Sequence, residues 1–317
     1  MSKAIAFTKA TSVAGAVALA GMLGGAHTAQ AEAPPGGENV DAHLGFNISN
    51  DYYHRGVAQE NEGVIFQPEF EVGWNVWEGD VMGEEVALRP YLGAWASIHD
   101  GGSPSGGPSA VYEARYILGG EVDLPYNFDL DLGYTFFNFP GGVVNDTQEF
   151  HATVGYDAID VLEMTGLDMG GQLGLDLYKT VAVETTNGRH GPDTGVYGEF
   201  GIHANYDIHA LGEDMPITAS LGSTLGWSYN DYYQPMPSVN NRDWGFVSLD
   251  LGAEMPLHAV IPDEFGAWSV ESGLSLVWLG NAPSALGGQL GITGPGAGAT
   301  SRERFKVLWN TSIGVDF

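Results

Sequence analysis

The chain has 317 residues, 47 of them glycine and none cysteine. It therefore has no disulfide framework, no thiolate zinc site and no lipid-modified N-terminal cysteine. Asp and Glu number 40 against 11 Lys and Arg, a net charge of −29, which argues against nucleic acid and anionic membrane surfaces as partners and leaves cationic ones open. Apolar residues make up 44%, too many for a disordered chain.

Lys3 and Lys9 precede an apolar, small-residue run from Val13 to Gly25, and Ala29-Gln30-Ala31 reads as a cleavage site. Residues 1–31 are thus expected to be a signal peptide and 32–39 a flexible lead-in, with one domain over 40–317. No other segment approaches the ~18 apolar residues of a transmembrane helix.

From Val40 on, period-two alternation dominates and predicts twelve strands. In chain order their apolar faces run Val40–Ile48, Phe66–Val76, Val86–Ile98, Tyr112–Leu118, Phe128–Phe136, Phe150–Tyr156 and Leu173–Leu177. The series continues with Val196–Tyr206, Ile217–Tyr229, Val247–Met255, Trp268–Trp278 and Phe305–Phe317. None of these faces carries a charge. Lipid contact explains that exclusion, because Lys or Arg at mid-bilayer costs about 2–4 kcal/mol. The long gaps follow the first, seventh, ninth and eleventh strands, and short links follow the second and fourth. Long outer loops and short periplasmic turns are the outer-membrane pattern. Aromatic residues such as Trp227, Tyr229, Trp268, Trp278, Phe305 and Phe317 fall at strand ends, where girdles belong. The expected fold is all-β, a transmembrane antiparallel β-barrel of about twelve strands in the outer membrane. A soluble secreted β protein is the alternative; it would dissolve without detergent.

A twelve-stranded barrel has a backbone radius of about 12 Å and a narrow lumen. The inward faces carry Glu69, Glu71, Glu113, Asp129, Asp131, Glu149, Asp176, Glu199, Asp250 and Glu271, with Arg89 and Arg115 among the few bases. An acidic lumen concentrates cations and repels anions. Two readings follow: a porin-like channel for small cationic or neutral solutes, or a non-conducting structural or surface-binding barrel. In the second, the acids fill the interior, paired with Arg89, Arg115, His43, His151 and His203. No G-x-S-x-G elbow, H-x-x-x-H pair or EF-type loop occurs, so neither catalysis nor a metal or other cofactor is indicated, and calcium at the outer loops stays an open option. The expected partners are the lipid bilayer, the barrel-assembly machinery and small solutes, with a monomer as the default.

The segment Asn50-Asp51-Tyr52-Tyr53-His54-Arg55-Gly56-Val57-Ala58-Gln59, followed by Pro68, resembles the Gcw-chp group of proteobacterial outer-membrane proteins. That group carries a pattern close to S-D-Y-x-F-R-G-x-x-Q. Gly93–Ser97, Tyr134–Phe139 with Pro140 and Gly141, and Glu149 extend the likeness over roughly 40–160. Asn50 and His54 depart from the pattern. The resemblance implies a barrel and no established activity. Within the motif, Asp51, Tyr52, Arg55 and Gly56 form the first outer loop. Arg55 reads either as a bridge to Asp51 packed on tyrosine rings or as the tip of a loop folded into the pore. The C-terminal strand resembles the barrel-assembly signal: Phe317 is terminal, Val315 and Asn310 are in phase, and Ser312 stands where that signal usually has Gly.

Overall fold

The computed structural model describes residues 39–60, 63–81, 83–99, 110–141, 145–159, 173–185, 194–209, 216–230, 232–233, 244–281 and 304–317. The expected leader, the lead-in up to residue 38 and most of the outer loops lie outside them. The strands are β1 (Val40–Ser49), β2 (Tyr52–His54), β3 (Val57–Glu60), β4 (Ile65–Trp74), β5 (Trp77–Val81), β6 (Glu84–His99), β7 (Val111–Leu124) and β8 (Phe128–Asn138). They continue with β9 (Thr147–Asp157), β10 (Leu173–Glu184), β11 (Gly195–Ile208), β12 (Ile217–Asn230), β13 (Trp244–Pro256), β14 (Ala267–Leu279) and β15 (Phe305–Asp316). One short 3-10 turn, Asp263–Phe265, lies between β13 and β14.

From β6 to β15 each strand pairs antiparallel with the next, β15 pairs with β1, β1 with β4, and β4 with β6. That circuit is a closed barrel of 12 strands. All twelve predicted strands are present. At the seam, His43 faces Asp316, and the Phe317 amide donates to the carbonyl of Ala42 at 2.9 Å. β5 continues the line of β4 beyond a break at Asn75 and Val76: β4 covers one half of β6 and β5 the other.

The alternation puts the apolar set outside. Leu118 is 54% exposed and Phe150 55%, while their inward neighbours Ile117 and Glu149 are buried. A closed, edge-free sheet wrapped in aliphatic and aromatic side chains is the form in which strands cross a bilayer. The protein is an outer-membrane β-barrel.

Two predicted positions are corrected. β10 runs on to Glu184, beyond the expected end at Leu177, and this sets Lys179 on the outer surface between Val154 and Phe200. Among the described residues the outer face therefore carries one charge at mid-strand. Tyr112 was expected to face lipid. A bulge pairs Ser97 with Glu113 and Ile98 with Val111, so Tyr112 is skipped in the ladder and is buried inside.

Candidate functional site

The first outer loop does not stay outside. Tyr52–Glu60 folds back into the barrel as a hairpin that is a sheet of its own, β2–β3, separate from the wall. His54 pairs with Val57, which leaves Arg55-Gly56 as a two-residue turn. Both have positive φ, 50° and 79°, as a type I′ turn requires. Gly56 is needed twice over: a Cβ there would also stand 2.9 Å from the Phe246 ring.

Each part of the hairpin has its own socket. Tyr52 donates to Glu113 at 3.0 Å, and Arg115 donates to both Tyr52 and, at 2.5 Å, Glu113. The Arg115 guanidinium lies 4.1 Å from the Trp95 ring centroid. At the tip, Arg55 grips Glu149 of β9 with both terminal nitrogens, the Nη2–Oε1 contact being 2.8 Å. It stacks 4.3 Å over Tyr197 and 5.5 Å from Tyr232. On the return strand, Gln59 accepts from Tyr112 at 2.8 Å, and Glu60 meets His99 at 3.2 Å. Two apolar clusters flank the hairpin. Tyr53 and Val57 pack with Tyr197, Tyr232, Tyr233, Phe246, Val277, Leu279 and Leu308; Tyr52 packs with Ile65, Trp95, Tyr112, Phe137 and Phe139. The hairpin thus lies buried inside the outer half of the barrel and touches walls on both sides of it.

The periplasmic half is polar. Arg89 binds Asp41, Glu71 at 2.9 Å and Glu121 at 3.0 Å. Asp131 accepts from Tyr91 at 2.7 Å and lies 2.8 Å from His151. His43 sits 2.7 Å from Asp316 and 3.6 Å from Glu69, and His203 lies 4.0 Å from Asp176. Ser248 donates to Asp250 at 2.6 Å, and higher up, at the level of the hairpin tip, Tyr197 donates to Glu199 at 2.6 Å. Acids also oppose acids across neighbouring strands: Asp129 faces Asp123 and Glu271 faces Glu254, while Glu121 opposite Asp131 and Asp176 opposite Asp157 share the bases Arg89, His151 and His203.

All twelve predicted inward residues therefore do point inward, but in two settings. Glu113, Arg115, Glu149 and Glu199 are sealed against the hairpin; the others lie below it. Of the loop residues, Tyr52, Arg55 and Gly56 enter the lumen, and Asp51 stays at the rim, accepting from Asn50 at 2.5 Å. The expected Arg55–Asp51 bridge is not formed: the partner of Arg55 is Glu149, 94 positions away. Its packing on tyrosine rings is as expected. Tyr197, Tyr232 and Tyr233 were not singled out in the sequence. The available signal was the Arg-Gly pair between two short β-prone runs, a hairpin turn within a presumed loop.

No family model and no curated protein matches the chain, so the likeness to the Gcw-chp group rests on its motif alone. Solved structures with a similar course are outer-membrane proteins. The COG4313 outer membrane channel from Pseudomonas putida F1 has a TM-score of 0.46 at 9% identity, covering 90% of this chain and 98% of that one. The β domain of the Bordetella autotransporter BrkA has 0.41 at 12%, covering 88% and 98%. LpxR from Salmonella typhimurium has 0.40 at 12%, covering 86% and 99%. These likenesses say nothing about activity.

Proposed function

We propose that the barrel is a porin-like channel for small cations and neutral solutes, shut in this structure by the Tyr52–Glu60 hairpin. The observation that carries the reading is the set of acids opposed to acids on the lumen wall. Like charges directly opposite one another destabilise a sheet. A wall that keeps such pairs gains from mobile cations between them, and a purely structural filling has no use for the repulsion. The hairpin supports a closed state that can open, because it contributes no rung to the barrel ladder and can leave without breaking the circuit. The same wall repels anions.

The test is conductance of the protein, purified from outer membranes, in a planar bilayer under a KCl gradient. Discrete openings with a reversal potential favouring K⁺ are expected. Reversal favouring Cl⁻ would overturn the cation preference. Stable insertion without openings, in the intact chain and in one lacking the hairpin, would leave the structural or surface-binding barrel as the reading.

A further inference from the structure

We infer that Glu149, Tyr197 and Tyr232 form a recognition site for guanidinium-bearing solutes, and that Arg55 is a tethered guanidinium occupying it. The inference rests on the channel reading for its consequence: a free solute of this class displaces Arg55 and opens the hairpin.

The chemistry of the box selects its occupant. Glu149 is wholly buried and presents both oxygens to both terminal nitrogens of Arg55, the fork-to-fork match that a planar guanidinium makes and an ammonium cannot. The Tyr197 ring lies under the guanidinium carbon, and the Tyr232 hydroxyl is 3.2 Å from Nη1. A weakly hydrated flat cation suits two aromatic faces and one carboxylate. A hard divalent ion needs six or more oxygens. Acid is also in surplus here. Glu184 stands directly across the strand from Glu149, and Glu199 is on the adjoining β11; both are buried.

The turn supplies an independent argument. A type I′ position favours Asn, Asp or Gly, and an arginine held at φ 50° is strained. Nothing in the turn asks for a long side chain. What asks for it is the site, which accepts the head group 94 residues away. The Tyr233 hydroxyl donates to the carbonyl of Arg55 at 2.9 Å and steadies the backbone in that conformation.

The experiment uses Arg55→Ala and N-methylguanidinium, with ethylammonium as the charge-matched control, and reads both thermal unfolding and conductance. Arg55→Ala should unfold earlier and conduct more than wild type. Millimolar N-methylguanidinium should raise its unfolding temperature and leave its conductance raised, and ethylammonium should not stabilise it. In wild type, N-methylguanidinium should increase the open fraction. Equal effects of the two cations on Arg55→Ala would overturn the site, as would wild-type gating indifferent to both. If Arg55→Ala does not fold, Arg55→Lys keeps the charge and loses the fork. N-methylguanidinium should then open it at a lower concentration than wild type, and an equal or higher concentration overturns the proposal. Should no variant conduct while N-methylguanidinium still selectively stabilises Arg55→Ala, the channel reading fails and the guanidinium site stands.

Discussion

Arg55 and Glu149 show how much one buried pair decides. Both side chains are out of solvent, at 2% and 0% exposure, so removing either leaves the other charge stranded. Glu149→Ala is expected to destabilise the barrel by about 3–5 kcal/mol, measured by urea unfolding in detergent, and a loss under 1 kcal/mol would mean that water reaches the pair. Gly56→Ala should cost more than about 1 kcal/mol, because φ is positive and the Phe246 ring blocks the methyl group. Lys179 is the opposite case. Its charge faces outward at mid-strand, so Lys179→Leu should stabilise the folded barrel by about 2–4 kcal/mol in lipid. No gain would place its ammonium at the interface on its extended side chain. None of these partners was legible from spacing. Alternation tells which face a residue takes, and the residue it meets across the lumen depends on how the barrel closes.

At the scale of elements, the hairpin and the wall are separable. The wall closes through β4 and β6 and needs nothing from β2 or β3. Replacing residues 52–60 with a short Gly-Ser linker should therefore leave a folded, heat-modifiable barrel with raised conductance. Failure of that variant to assemble would show that the hairpin nucleates closure. The barrel strands were readable because, β7 and β10 apart, each carries an unbroken period of two with a charge-free face. β10 was read short because Lys179 interrupts its outward face. The inward turn of Tyr112 was invisible because a bulge is set by the pairing of β6 with β7. The hairpin itself was read as part of a loop, since three- and four-residue strands are too short to display a period.

At the scale of the whole molecule, charge is the governing quantity. Acid-to-amide changes at opposed pairs, such as Glu254→Gln with Asp129→Asn, should lower the preference for K⁺ over Cl⁻ while the barrel keeps or gains stability. The preference should also fall as salt rises and screening shortens to a few ångströms. Unchanged selectivity in that double variant would move the determinant to the outer loops. By itself the sequence determined the class of fold, the strand set and the sign of the lumen. These are written locally, in alternation and in the exclusion of charge from one face, because every strand meets lipid on one side whatever its neighbours are. Only the tertiary structure decided that the first loop enters the barrel, that Arg55 reaches Glu149 and that the hairpin packs against walls on both sides. Those outcomes depend on contacts between residues far apart in the chain, and they exist only once closure has brought opposite walls within reach of one hairpin.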